Sequence, residues 1–181
     1  MPTESELIQR AIAGDAQAFG ELYQQHLKQI YRYIFYKVGN AADAEDLTEQ
    51  TFLKAWEAMR RYREQGVPFA AWLFRLAHNL VIDFHRTRHE AAPLDDLRDA
   101  EDGQITPEDL AAVRLDIDTL RQAILQLTPE QQQVVLLRFV QGLNHSEVAT
   151  IMGKNEGAVR GLQHRALRAL HGLLADRIGA L

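Results

Sequence analysis

Residues 127–170 read LTPEQQQVVLLRFVQGLNHSEVATIMGKNEGAVRGLQHRALRAL. The stretch opens with a helix start signal, because Thr128 is a good N-cap, Pro129 suits the first helical position and Gln131 can complete a capping box. Gly142 then marks the end of this first helix. The spacing therefore predicts a helix between Thr128 and Gly142.

Two further helices follow within the same stretch. One begins at Asn144 and ends at Gly153, and the next is capped by Asn155. Two helices joined by a glycine-containing turn form a helix-turn-helix, whose second helix fits the major groove of DNA. Arginine suits guanine edges and phosphates in that groove, and glutamine suits adenine. The residues predicted to pack inward are Val148, Ala149, Met152, Val159 and Leu162, and those predicted to face outward are Glu156, Arg160, Gly161, Gln163, His164, Arg165 and Arg168.

The first half of the chain also has helical periodicity. Its clearest apolar stripe consists of Phe19, Leu22, Tyr23, Leu27, Ile30, Tyr31 and Ile34. Helices are predicted over about 4–13, 15–38, 41–62 and 69–88. No sustained period-two pattern and no Asn-Gly or Asp-Gly hairpin turn interrupts these segments. The sequence therefore predicts an all-α fold, with a helical bundle in the first half.

Residues 90–109 differ in composition from both halves. They are dominated by Asp and Glu, contain proline and glycine, and have few aliphatic side chains. Such a segment buries too little apolar surface to offset the entropy of ordering its chain. We therefore predict an acidic flexible linker between two small helical domains, residues 1–89 and residues 110–181.

Both halves resemble one family of transcription factors. The stretch 127–170 resembles region 4 of the sigma-70 family of RNA polymerase sigma factors, which reads the upstream promoter element. Residues 43–56, DAEDLTEQTFLKAW, resemble the polymerase-binding helix of region 2. Residues 69–79, FAAWLFRLAHN, resemble the adjoining segment that melts and recognises the promoter. Because the matches occur in the family's order and flank a linker, the chain resembles the extracytoplasmic-function (ECF) group.

The resemblance implies a polymerase-binding surface on the predicted helix at about 41–62. The partner of this surface would be the clamp helices of the largest subunit of core RNA polymerase, and the polymerase flap is a further implied partner of the chain. The implied contact residues are Asp43, Asp46, Glu49, Gln50 and Leu53, on the face opposite the inward-packing Leu47, Thr51, Phe52, Ala55, Trp56 and Met59. The family's frequent Gln-Glu order is Glu49-Gln50 in this chain.

The same resemblance implies two DNA-binding surfaces. Asn79 aligns with the position that contacts a flipped base of the −10 element, and Asp83 stands where some relatives have an amide. In the helix-turn-helix, the implied contacts with the −35 element are Lys154, Asn155, Arg160, Gly161, His164, Arg165 and Arg168. A glycine within a helix costs roughly 1 kcal/mol relative to Ala. Gly161 therefore either permits close backbone approach or leaves one base unread, while Trp72 and Phe74 are interpreted as core residues.

The resemblance also bears on regulation. It implies promoter DNA as a second partner and an anti-sigma protein as a third. Two interpretations of the acidic linker stay open: a solvated tether, or a nucleic-acid mimic that passes through the product channel of the polymerase.

Composition and motifs exclude other classes of protein. The chain has no cysteine, and its net charge of −5 argues against a protein that coats nucleic acid. It has no signal-peptide pattern and no long apolar run, so we expect a cytoplasmic protein without membrane insertion. No HExxH, GxxxxGK[ST] or GxSxG motif is present, so we expect no enzyme, catalytic residue, metal or cofactor. His78 and Asp83 lie about 140° apart around a helix axis and would not share a metal.

Two other functions compete with the sigma factor hypothesis. A conventional helix-turn-helix regulator would bind operator DNA without polymerase, but the usual receiver domain of such regulators needs strands that residues 1–88 do not offer. A helical adapter would bind only proteins. DNA binding that requires core polymerase separates all three hypotheses.

Overall fold

The computed structural model describes residues 1–64, 66, 68–91 and 109–178; for 90, 91, 109–116 and 178 it describes the backbone. All regular elements in this part of the chain are helices, and the predicted all-α fold is confirmed. The helices are α1 Glu4–Ile12, α2 Ala16–Val38, α3 Ala41–Ala58, α4 Phe69–Ala91, α5 Asp109–Leu125, α6 Pro129–Val135, α7 His145–Met152 and α8 Glu156–Ile178. A 3-10 turn, Met59–Arg61, follows α3, and a π-helical turn, Leu136–Val140, follows α6.

The chain divides into two compact units, Met1–Arg98 and Asp99–Leu181. Helices α1 to α4 belong to the first unit and helices α5 to α8 to the second. Most of the predicted linker, residues 92–108, lies outside the described residues. The predicted limits of the two domains and the flexible character of the linker therefore stay predictions.

Local capping defines the helix ends of the first unit. Asp15 starts α2, because its carboxylate accepts hydrogen bonds from the backbone N–H groups of the next turn at 3.0 and 3.1 Å. Gly39 ends α2 with a φ of +84°, a left-handed conformation that favours glycine. Asn40 then starts α3 by accepting a hydrogen bond from the backbone of Asp43 at 2.8 Å. This sequence of caps turns the chain sharply between α2 and α3.

The core of the first unit is formed by α1, α2, α3 and α4. Tyr33 of α2 and Phe74 of α4 are fully buried, with ring centroids 5.2 Å apart. The interpretation of Phe74 as a core residue is therefore confirmed. Trp72 is only half-buried and packs against Tyr62 at 4.7 Å. Of the predicted α2 stripe, Leu22, Ile30 and Ile34 are fully buried, and Phe19, Tyr23, Leu27 and Tyr31 are half-buried.

Helix α3 differs from its prediction in two respects. The α-helix ends at Ala58, and the last turn that was predicted to be helical is the tighter 3-10 turn. Trp56, predicted to pack inward, is 36% exposed, with its ring 5.0 Å from that of Phe19. The tryptophan therefore lies at the edge of the core and contributes apolar surface to the exterior.

Capping also organises the second unit as the sequence predicts. Thr128 and Gln131 form a reciprocal capping box at the start of α6, with hydrogen bonds of 3.3 and 3.2 Å. Asn144 and Glu147 form another at the start of α7, with bonds of 2.9 and 2.8 Å. Gly153 ends α7 with a φ of +64°. The predicted helix-turn-helix, α7 and α8, is present.

The core of the second unit holds these two helices against α5 and α6. Val148, Ala149, Val159 and Leu162 are buried, which confirms their predicted inward orientation. Met152 is half-buried, and Ile151 takes the buried position beside it. The outward face of α8 is therefore fixed by packing on the opposite side.

Candidate polymerase- and DNA-binding surfaces

The exposed face of α3 combines acidic and apolar side chains. Asp46, Glu49 and Gln50 are exposed, and Gln50 donates a hydrogen bond from Nε2 to Asp46 Oδ2 at 2.7 Å. One turn further along, Leu53 is 57% exposed and adjoins the partly exposed Trp56. Large apolar side chains that stay exposed beside charges are typical of protein-binding surfaces. We call these five residues the α3 surface.

Asp43 differs from the α3 surface. Its carboxylate is half-buried, lies 3.3 Å from the guanidinium of Arg88 on α4, and accepts a hydrogen bond from the Asn40 amide. Asp43 therefore joins the start of α3 to the end of α4, instead of facing outward as the sequence indicated. Helical spacing predicts on which side of a helix a side chain lies, but it does not predict a partner on another helix, such as Arg88 for Asp43.

The exposed face of α4 carries the predicted −10 contacts. Asn79 and Asp83 are exposed and lie one helical turn apart. Asp83 Oδ1 lies 3.0 Å from the guanidinium nitrogen Nη2 of Arg86, which is also exposed. The sequence interpretation missed Arg86, although its spacing three residues after an aspartate was a usable signal. The structure brings an amide, a carboxylate and a cation together on one face.

A polar cluster around the buried Lys37 lies between α2 and α4. Lys37 is 5% exposed, and its Nζ lies 3.1 Å from His78 Nδ1 and 4.8 Å from the ring centre of Tyr33. His85 donates from Nε2 to the Lys37 carbonyl oxygen at 3.1 Å. Burial lowers the pKa of Lys37 to about 7, and burial also lowers the pKa of His85. Within the described residues, no group of three His, Cys, Asp or Glu side chains is arranged to hold a metal ion.

The outward face of α8 is basic. Arg160, His164, Arg165 and Arg168 are exposed, as the sequence predicts. The guanidinium of Arg160 lies 3.6 Å from the carboxylate of Glu156. A Cβ at Gly161 would lie 3.4 Å from Arg165 Nη1, so that guanidinium lies close over the glycine backbone. The face therefore consists of flexible cations around one position without a side chain.

Lys154 and Asn155, at the turn before α8, have partners within the second unit. The Lys154 ammonium lies 2.8 Å from the Glu130 carboxylate in the first turn of α6. Asn155 Oδ1 accepts a hydrogen bond from the backbone N–H of Ala158 at 2.8 Å, which caps α8 as predicted. DNA contact by Lys154 would thus require exchange of Glu130 for a phosphate.

Gln163 does not face outward as the sequence predicted. Its Oε1 accepts a hydrogen bond from Arg138 Nε at 3.1 Å and lies 2.9 Å from His145 Nε2. The side chain is half-buried at the junction of the π-helical turn, α7 and α8. Position 163 lies beside the buried stripe of α8, so its amide oxygen is within reach of side chains on neighbouring elements.

Comparisons with known proteins agree with the two-part organisation. The family profile described as Sigma-70 region 2 matches residues 22–90, and the profile described as Sigma-70, region 4 matches residues 117–170. The chain is 45% identical over 173 residues to the ECF RNA polymerase sigma factor BldN of Streptomyces coelicolor; this match covers 94% of the chain and 66% of BldN. It is 33% identical over 171 residues to the ECF RNA polymerase sigma factor SigD of Mycobacterium tuberculosis, with coverage of 91% and 80%.

A solved structure is similar over the same extent. CnrH, determined in complex with the cytosolic domain of CnrY, superposes with a TM-score of 0.74 at 26% identity, covering 94% of this chain and 96% of CnrH. The chain therefore belongs to the sigma-70 family of RNA polymerase sigma factors, and within it to the ECF group. The resemblance found in the sequence is confirmed, and the regulator and adapter alternatives are not favoured. Among the described helices, none is long and apolar enough to cross a membrane.

Proposed function

We propose that the protein binds core RNA polymerase and directs it to specific promoters. In this proposal the first unit binds the polymerase and opens the −10 element, and the second unit recognises the −35 element. The observation that carries the proposal is the pairing of an acidic and apolar helix face in one unit with a basic helix-turn-helix in the other. A regulator that acts alone needs only the second of these surfaces.

The α3 surface suits a partner that is both basic and apolar. Asp46 and Glu49 provide negative charge that steers a basic helix, and Gln50 keeps Asp46 oriented. Leu53 and Trp56 provide the apolar contact that dominates the energy of most interfaces. The clamp helices of the largest polymerase subunit are the proposed partner, with Asp43 holding α3 against α4 through Arg88.

The exposed face of α4 suits an unpaired base next to a phosphate. Opening a duplex exposes bases whose edges need hydrogen-bond partners, and the Asn79 amide offers both a donor and an acceptor. Arg86 provides a cation for the neighbouring phosphate. Asp83 pairs with Arg86 at 3.0 Å and keeps that cation beside Asn79. Asp83 thereby influences which base is accepted.

The outward face of α8 suits duplex DNA in the major groove. Arg160, His164 and Arg165 are proposed to approach the base edges, and Arg168 and Lys154 the phosphates. Asn155 contributes by capping α8. The first N–H groups of α8 are proposed to approach a phosphate of the DNA backbone. The bare backbone at Gly161 permits close approach of the DNA between the cations.

Regulation by an anti-sigma protein is part of the proposal. CnrH was solved with the cytosolic domain of CnrY bound, and this chain superposes on CnrH over most of its length. A protein that covered the α3 surface would compete directly with the polymerase. The proposed site of action is the cytoplasm, where the polymerase is found, and the proposed activity needs no catalytic group or cofactor.

Promoter-directed transcription in vitro tests this function. Wild-type protein added to core polymerase should start transcripts at discrete positions, and both Asp46→Arg/Gln50→Ala and Arg165→Ala should lose them. The matched controls are Gln25→Arg, an exposed change on α2, and His171→Ala, an exposed change on α8 beyond the proposed contacts. Discrete initiation by core polymerase alone, or full activity of both surface variants, would refute the proposal.

A further inference from the structure

One guanidinium links three segments of the second unit. Arg138, on the π-helical turn, donates from Nε to Gln163 Oε1 of α8 at 3.1 Å. It also donates from Nη1 to the carbonyl oxygen of Leu143, in the loop before α7. His145, the first residue of α7, lies 2.9 Å from the same Gln163 oxygen. We call Arg138, His145 and Gln163 the α8 anchor.

The chemistry of the anchor fixes its donors and its acceptor. A guanidinium is only a donor, so the Gln163 atom that faces Arg138 has to be the amide oxygen. The imidazole nitrogen that approaches this oxygen therefore carries a hydrogen. All three side chains are half-buried, and hydrogen bonds from a charged donor are stronger than neutral ones. The two bonds hold one point of α8 against two preceding segments.

The anchored point lies among the proposed base-contacting residues. Gln163 directly precedes His164 and follows Arg160 by three residues, less than one helical turn. A binding site works only while its groups are held within about 0.5 Å and 10–20° of the productive geometry. Rotation of α8 at Gln163 would displace both neighbours together, and the apolar contacts of Val159 and Leu162 are less directional than hydrogen bonds.

We infer that Gln163 is a positioning residue, which sets the rotation of α8 through Arg138 and His145 and does not itself recognise a base. The inference rests on the proposed function of α8 in promoter recognition. It extends that function by assigning sequence discrimination in part to three half-buried residues that bond to one another within the second unit. A direct base reader and a positioning residue differ in one measurable way, because only the second affects every base pair that the helix contacts.

The test is selection of a promoter library by holoenzyme, the full chain bound to core polymerase. Duplexes with a randomised −35 segment are bound and sequenced, and the affinity of the best sequence is compared with that of each version changed at one base pair. For wild type, the ratio of the affinity of the best sequence to that of a version changed at one contacted base pair should be roughly tenfold or more. Gln163→Leu should lower that ratio to about threefold or less at all contacted base pairs, while the variant still unfolds cooperatively in urea.

Two further variants complete the test. Gln126→Leu, an exposed glutamine of the same unit, is the matched control and should keep wild-type ratios. His145→Leu removes one donor while Arg138 remains, and should lower all ratios to a smaller extent; it decides the test if Gln163→Leu does not fold.

The contrary outcomes are distinct. Loss of discrimination at one base pair alone would make Gln163 a base reader, and weaker binding with unchanged ratios would make the anchor purely structural; either result overturns the inference. If wild-type holoenzyme selects no sequence that core polymerase alone does not, the proposed function fails, and this inference fails with it.

Discussion

Lys37 is a lysine of α2 that is buried against His78 of α4. Burial disfavours its charged form and lowers its pKa to about 7 from a usual value of 10.5. His78 and the ring of Tyr33 surround its ammonium group. The stability of the first unit should therefore depend on pH in the neutral to alkaline range.

The sign of this dependence follows from proton binding. Between pH 7 and 10.5 the unfolded chain binds a proton at Lys37 that the folded chain lacks, so falling pH favours unfolding over this interval. The free energy of unfolding of wild type should rise with pH relative to that of Lys37→Met, by up to about 1.4 kcal/mol per pH unit. Below the folded pKa the difference should stay constant. Urea unfolding of both proteins across this range measures it, and parallel profiles would contradict the account.

Residue-level prediction from the sequence succeeded where periodicity alone sufficed. The exposure of Arg160, His164 and Arg165 follows from their positions opposite a buried apolar stripe. Lys37 and Gln163 were missed for a common reason. Lys37 continues the buried stripe of α2, seven residues after Ile30, and Gln163 lies beside the buried stripe of α8; in both cases the polar partners are side chains of another element.

Helix α7 shows how much of an element is encoded locally. Its capping box was predictable because Asn144 and Glu147 are three residues apart and bond only to each other's backbone. Asn144→Ala should lower the free energy of unfolding of the second unit by about 1 kcal/mol, whereas Asn144→Asp should be nearly neutral. Urea unfolding of the three proteins is the measurement. Equal losses in both variants would show that the cap hydrogen bond is not the source of the stability.

The apolar half of the α3 surface leads to a prediction about affinity. Trp56→Ala should weaken binding to core polymerase by about tenfold or more, because a partly exposed tryptophan is a frequent centre of interface energy. Lys54→Ala, an exposed neighbour on the same helix, should change binding by less than about threefold. Titration of labelled protein with core polymerase gives both affinities. A loss of affinity for Trp56→Ala no larger than that of Lys54→Ala, below about threefold, would show that the tryptophan is not part of the interface.

The π-helical turn after α6 is an element that the sequence did not reveal. The backbone N–H of Gln141 bonds to the carbonyl oxygen of Leu136 at 3.0 Å, five residues earlier. No residue type in Leu136–Val140 signals this wider turn. Yet the turn carries Arg138, on which the α8 anchor depends.

At the scale of the whole molecule, charge distribution matters more than total charge. The chain carries −5 overall, while the exposed face of α8 is basic and that of α3 is acidic. A net negative protein is repelled by DNA at long range, so without core polymerase the protein should bind promoters weakly despite its basic helix. The two-part organisation was predictable from two helical patterns separated by an acidic segment.

The most direct test of the proposed function is footprinting of promoter DNA with and without core polymerase. The DNA is taken from the sequences that holoenzyme selects, and protein, core polymerase and their mixture are compared at equal concentration. We predict protection of both the −35 and −10 segments, with an opened −10 element, only in the mixture. Protection of the same DNA by the protein alone would contradict the account and indicate a regulator that acts without polymerase.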